Sequence, residues 1–161
     1  MKNLLKNIQI IIFDFDGTIM NLDCDWERIK QLRAKGDLNE PEIEDIEYAG
    51  ALRGTEVEGI GELIKSLKCK KAIFSMNSSR SIFVGLAVLE LTGQFSMVVS
   101  RNDVEKYKPE PEGLEKILTA LHISKKCALY VGDRKIDILT GKNAGVKTML
   151  IKEFLHDYST V

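Results

Sequence analysis

The chain predicts an α/β fold in three layers, a parallel sheet with helices on both faces, and three observations carry that reading. Short runs rich in Ile and Val recur at Ile8–Phe13, Lys71–Ser75, Met97–Ser100, Ala128–Val131 and Thr148–Ile151. They are apolar nearly throughout instead of alternating with polar residues, the pattern of strands buried on both faces. Amphipathic stretches at Val57–Leu67, Ser79–Leu91, Pro111–Leu121 and Lys135–Asn143 separate them, which is the alternation of crossover units. Acidic or small polar residues follow the strand ends, the edge at which open parallel sheets bind ligands.

The first run, interrupted by Gln9, follows the basic opening MKNLLKN and superficially resembles an export leader. It is short, ends in Asp14 and Asp16, and offers no small-residue cleavage site, so a buried strand is expected instead. Residues 19–54 break the alternation: they are strongly polar and predict two helices inserted after the first strand. The first is expected over Asp25–Lys35, closed by Gly36, with Trp26, Ile29 and Leu32 as an apolar stripe packing within the insertion. The second is expected over Glu40–Ala49, with Asn39 as N-cap, Glu42 three residues later, and Ile43 and Ile46 facing inward. Residues 1–18 and 55–161 then form the core, and 19–54 stand over its carboxyl edge. Gly145, after Lys142 and Asn143, sits where a helix commonly ends in a left-handed residue.

The length of 161 residues suits one domain. Lys and Arg number 23 against 24 Asp and Glu, a net charge of −1, so a broad basic field for nucleic acid is absent. No run approaches the roughly 20 apolar residues of a membrane span, and no membrane partner is expected. Cys24, Cys69 and Cys127 form no CxxC pair, which predicts reduced thiols and a cytoplasmic protein. His122 and His156 are isolated, leaving no zinc site or Ser-His-Asp triad in view.

The chemistry lies at the strand ends. Asp14 and Asp16 stand in DFDGT, Ser75 in AIFSMNSS, Lys108 in RNDVEKYKPEP, and Asp133 and Asp137 in YVGDRKID. Four carboxylates converging at the mouth of an apolar sheet repel one another and call for a hard cation. All-oxygen ligands with no His or Cys suit Mg2+. Lys108 and the metal together offset the charge of a phosphate whose oxygens Ser75 and Asn77 are placed to bond. Asp14 is then a carboxylate nucleophile and Asp16, two residues on, the acid that later becomes the base.

DFDGT after an apolar strand, a strand ending in Ser, KPEP before a helix and VGD-x-x-x-D resemble, in order, the four motifs of the haloacid dehalogenase superfamily of phosphatases. VVSRNDV and KNAGVKTMLI resemble its phosphoglycolate phosphatase-like branch. The resemblance spans residues 8–151 and implies a Rossmann-like core with a small helical cap. It implies Asp14 as nucleophile and metal ligand, Asp16 as acid/base bound to the metal through its carbonyl, Ser75 and Lys108 as phosphate ligands, Asp133 as metal ligand, and Asp137 as support for metal or Lys108. Asp16 marks a phosphatase, because the haloacid dehalogenases of this superfamily lack that second aspartate.

The substrate is expected to be a small phosphorylated metabolite, but residues 19–54 are short for the cap of that branch and leave its identity open: a more open site could admit a larger phosphorylated molecule, or a second subunit could donate a cap. The protein is expected as a monomer or homodimer. A phosphotransferase or mutase, or a phosphate-binding scaffold, shares the motifs. Asn77 is read as a phosphate ligand or as the cap of the helix near Ser79, and Arg53 and Arg134 as solvated.

Overall fold

The computed structural model describes residues 5–36 and 40–159. The predicted alternation is present: β1 Ile10–Phe13, β2 Met20–Asn21, α1 Trp26–Arg33, α2 Pro41–Arg53, β3 Thr55–Glu56, α3 Ile60–Ser66, β4 Lys70–Phe74, α4 Ser79–Val88, β5 Met97–Val99, α5 Glu112–Ala120, β6 Ala128–Gly132, α6 Lys135–Ala144, β7 Lys147–Leu150 and α7 Ile151–Ser159. Five strands form a parallel sheet in the order β5-β4-β1-β6-β7. The chain runs outward from β1 through β4 to β5, then returns past β1 to β6 and β7. The carboxyl end of β1 is therefore the point where the winding reverses, and a crevice opens there in such sheets.

Both faces of the sheet are covered. Ile11 and Phe13 of β1 join Ile73, Leu129 and Val131 on one face, against Leu63 and Ile64 of α3, Ile82 and Leu86 of α4, and Phe154 of α7. Ile10 and Ile12 join Ala72, Phe74 and Tyr130 on the other, against Leu114, Ile117 and Leu118 of α5. All four β1 residues are fully buried. Each such side chain contributes about 1.5–3 kcal/mol, so β1 is anchored on both sides and its carboxyl end is held firmly.

The inserted helices lie between β2 and β3, which pair antiparallel as a two-stranded ribbon that the sequence did not announce. Asp25 caps α1, its Oδ1 accepting from Arg28 N at 2.9 Å. Ile29 and Leu32 bury against Ile43 of α2, but Trp26 is exposed. The packing expected of Trp26 does not occur: its side chain stands outside the cluster that Ile29, Leu32 and Ile43 form. The α2 helix runs to Arg53, four residues past the predicted end, since Ala51 is buried and extends its inner face. The cap expected at Asn39 lies outside the described residues; Glu40 occupies the N-cap position and its side chain makes no capping bond. Gly145 has φ +70 and ends α6 as expected. The helix α7 was not foreseen; its Phe154 is buried beside Phe13. No helix of the described residues is long and apolar enough to cross a membrane.

Candidate active site

β1 ends in Asp14, whose N–H donates to Val131 O at 2.8 Å and continues the pairing with β6. The chain then turns sharply. Phe15 O accepts from Thr18, Ile19 and Met20, while Gly17 N donates to Met20 O. Gly17 has φ +74, and a Cβ there would stand 2.5 Å from Asp133 Oδ2. Only glycine permits both the turn and the approach of the β6 loop to it. Asp16 is held in the same turn, its Oδ1 accepting from Leu22 N at 3.1 Å.

Asp14, Asp133 and Asp137 each present a carboxylate oxygen within 4.8 Å of the others. Lys108 Nζ enters between two of them, 3.0 Å from Asp14 Oδ1 and 2.8 Å from Asp137 Oδ1. Asp137 is fully engaged: Tyr130 Oη also donates to its Oδ1 at 3.0 Å, and Arg134 N to its Oδ2 at 3.0 Å. Asp133 is the opposite case. Its Oδ1 is buried without a hydrogen bond among the described residues, the nearest cation being Arg134 Nε at 3.8 Å.

The charges are unbalanced. Burial raises the Asp14 carboxyl, against the pull of Lys108, and the charge of Asp137 raises it further. Burial pushes Asp16 up to about 6, helped by Asp14 and Asp133 despite the bond from Leu22 N. Burial and then Asp14 push Asp133 up to about 6. Asp137 is also buried, but Lys108 and its other donors more than offset this and hold it below the ordinary carboxylate range. Burial and the neighbouring carboxylates keep Tyr130 protonated, as a donor.

Several carboxylates facing one ammonium, one of them with a buried bare oxygen, fit a hard divalent cation. Asp133 has a bare oxygen for it, and Asp14 presents a carboxylate oxygen within 4.8 Å of that of Asp133. Asp137, with both oxygens bonded, is placed to orient Lys108.

Ser75 follows β4, its N–H donating to Val99 O at 3.1 Å. Its Oγ donates to Asn77 Oδ1 at 2.9 Å, and Asn77 N donates back to Ser75 Oγ at 3.3 Å. Asn77 does not cap the helix: Ser78 does, its Oγ accepting from Ser81 N. Arg80 lies away from the carboxylates, bonded to Asp45 at 2.8 Å and stacked 4.0 Å over the Tyr48 ring. Arg53 is exposed and pairs with Asp23. Arg134 is exposed but lies close enough to act on Asp16 and Asp133. Burial pushes the Cys24 thiol up to about 12. It donates to Ile46 O and is no nucleophile.

Sequence reasoning missed Tyr130, Arg33, Glu47 and Arg101. Glu47 had a signal: it falls on the inward face of α2 with Ile43, Gly50 and Ala51, at helical spacing. Arg101 follows β5 in a 3-10 turn with nothing in the local sequence to mark it as buried.

A doubly wound parallel sheet with a carboxylate–lysine cluster at its switch point defines an α/β protein with a concentrated acidic site at the edge where such sheets bind ligands. The model of the haloacid dehalogenase-like hydrolase family matches residues 29–151, three quarters of the chain, and the chain belongs to that family. Pyrophosphatase PpaX of Halalkalibacterium halodurans is 41% identical over 97 residues, covering 58% of this chain and 45% of the relative. Pyrophosphatase PpaX of Bacillus cereus strain B4264 is 37% identical over 99 residues, covering 60% and 46%. The matched segment thus spans less than half the length of these curated relatives. Among solved structures, a hydrolase of the same superfamily from Geobacter sulfurreducens superposes with TM-score 0.67 at 24% identity, covering 88% of each chain. YfnB from Bacillus subtilis, a structure of this superfamily bound to magnesium, does so with TM-score 0.70 at 20% identity, covering 88% of this chain and 87% of that one. These likenesses show the shared fold.

Proposed function

We propose that the protein is a magnesium-dependent phosphatase acting on a small phosphomonoester through an aspartyl-phosphate on Asp14. The observation that carries this reading is Asp14 within 3.0 Å of Lys108, beside the bare oxygen of Asp133 and on the turn that also holds Asp16. Mg2+ held by Asp14, Asp133 and the Asp16 carbonyl would supply positive charge to the phosphate. Lys108, steadied by Asp137, neutralises a second part of it. Ser75 and Asn77 bond its remaining oxygens.

An Asp14 oxygen attacks phosphorus, and the bond to the leaving oxygen breaks as that oxygen takes the proton of Asp16. A carboxyl raised to about 6 is suited to hold that proton near neutral pH. Water then attacks the phospho-aspartate, giving its proton to Asp16, and inorganic phosphate leaves. The helices within residues 19–54 serve as a small cap over this edge.

A second reading of the substrate is pyrophosphate, for which the curated relatives are named. One guanidinium favours it: Arg134 is exposed with its Nε 3.8 Å from Asp133 Oδ1, where it would offer countercharge to a leaving group that is itself a phosphate.

The test is steady-state hydrolysis of para-nitrophenyl phosphate and of pyrophosphate, with Mg2+, with chelator and with Asp14→Asn. Mg2+-dependent turnover that vanishes in the variant supports the chemistry, and the ratio between substrates selects the leaving group. Turnover that survives in Asp14→Asn removes the covalent mechanism.

A further inference from the structure

Under the inserted helices lies a second buried charge pair that no step above uses. Glu47 of α2 and Arg101 are both fully buried, 54 residues apart, with Arg101 Nη1 donating to Glu47 Oε1 at 2.9 Å. Their remaining bonds go mainly to one place. Glu47 Oε2 accepts from Ser78 N at 3.0 Å. Arg101 Nη1 also donates to Met76 O at 2.7 Å, and its N–H to Asn77 O at 3.2 Å. The loop 75–78, which carries Ser75 and Asn77, is thereby held from the inserted helix on one side and from the turn after β5 on the other.

The pair is not arranged for stability alone. A buried ion pair seldom outperforms apolar side chains of the same volume. Arg101 Nε and Nη2 lack hydrogen bonds among the described residues, a cost that buried polar groups in a purely structural role usually avoid. Arg33 adds only a 3.5 Å contact to Glu47. What the geometry secures is the path of the loop: the two side chains bond its main chain at 76 and 78, on either side of the Arg101 N–H bond to Asn77 O.

We propose that Glu47 and Arg101 are positioning residues for the phosphate-binding loop, so that the inserted helices form a fixed part of the phosphate site and do not act only as a lid. This rests on the reading of Ser75 and Asn77 as phosphate ligands. Two surface contacts act in the same sense, since Arg80 ties α4 to Asp45 and Tyr48 of α2.

The test is the double variant Glu47→Leu with Arg101→Met, which removes both charges and keeps an apolar filling. Its melting temperature, the KM and kcat for para-nitrophenyl phosphate, and the inhibition constant of inorganic phosphate are measured. The variant is expected to melt within a few degrees of wild type. KM and the phosphate inhibition constant are expected to rise about tenfold, the equivalent of one lost charge-assisted hydrogen bond, with kcat less affected. A double variant that folds and binds phosphate as wild type does would overturn the proposal and leave the pair structural.

Should the double variant fail to fold, Arg101→Lys decides. It keeps a charge near Glu47, but its shorter side chain does not bring an ammonium to where Arg101 Nη1 bonds Glu47 Oε1 and Met76 O together. The phosphate inhibition constant is expected to rise severalfold, and an unchanged value overturns the proposal. A wild-type protein that turns over neither the ester nor pyrophosphate sinks the phosphatase reading itself, a separate outcome.

Discussion

The molecule buries two ionic clusters within one sheet edge, and they are built on opposite principles. Around Asp14, several carboxylates face the single ammonium of Lys108, and burial, with their mutual repulsion added, raises the protonation range of Asp14, Asp16 and Asp133. Around Glu47, one carboxylate faces Arg101 directly and Arg33 at longer range, and both Glu47 oxygens are bonded. The first cluster is left with an excess of carboxylates, an imbalance of the kind a bound cation would offset. The second is already satisfied on its acidic side and ties backbone to backbone. Buried charge in this fold is thus unbalanced at the strand-end aspartates and paired at Glu47.

The sharpest way to break this contrast is at Asp16. Asp16→Asn leaves the turn's bond to Leu22 N an acceptor but removes the transferable proton. Turnover of an alkyl phosphate is expected to fall by about 10²–10⁴-fold. The fall should be smaller for para-nitrophenyl phosphate, whose leaving group departs with less need of a proton. Equal rates in variant and wild type would remove Asp16 from the chemistry.

Next in size is the single change Glu47→Leu. It strands Arg101 as an uncompensated buried cation and is expected to cost about 3–5 kcal/mol of stability, read by denaturant unfolding. The double variant with Arg101→Met should recover most of that loss. A single variant as stable as wild type would show that the pair is not buried in solution.

Asp133→Asn should act in the reverse direction. Removing one of the repelling carboxylates is expected to stabilise the metal-free protein by about 1 kcal/mol, while abolishing the rise in melting temperature expected of wild type on adding Mg2+. A variant still stabilised by Mg2+ would place the ion elsewhere.

The smallest effect is a control outside both clusters. Glu112 accepts from Glu105 N and Lys106 N and pairs with Lys116. The bond from Lys116 and those two N–H groups hold its carboxyl down to about 2, from an ordinary value of 4.5. A group depressed in this way stabilises the fold above its unfolded range and ceases to do so as pH falls. The melting temperatures of wild type and Glu112→Gln should therefore differ at neutral pH and converge as pH drops from about 4.5 toward 2. A difference that persists at low pH would mean the contact is not ionic.

Much of the first cluster was legible in advance. Asp14, Asp16, Ser75, Asp133 and Asp137 follow an apolar strand within five residues and Lys108 follows β5 within nine, and a parallel sheet aligns all such ends along one edge. Local spacing therefore implied a global meeting. The partners of those residues were less visible. Tyr130 reads as one more apolar strand residue, yet its hydroxyl reaches Asp137 because β6 and the turn into α6 fold the chain back within seven residues. Asn77 was left between two roles, and the structure sends the capping role to Ser78 by a single residue of register. Trp26 was assigned to packing on helical spacing alone, but spacing says which side a residue occupies, not whether a neighbour is there to cover it.

By itself, then, the sequence determined the strand succession, the winding that follows from it and the acidic edge, because apolar runs and the polar residues that end them are local and the chirality of crossovers leaves little choice. Only the tertiary structure decided the short ribbon of β2 and β3, the docking of α7 through Phe154 and the meeting of Glu47 with Arg101. Each of these depends on contacts between segments remote in the chain, where the favourable energy comes from a partner that no local pattern encodes.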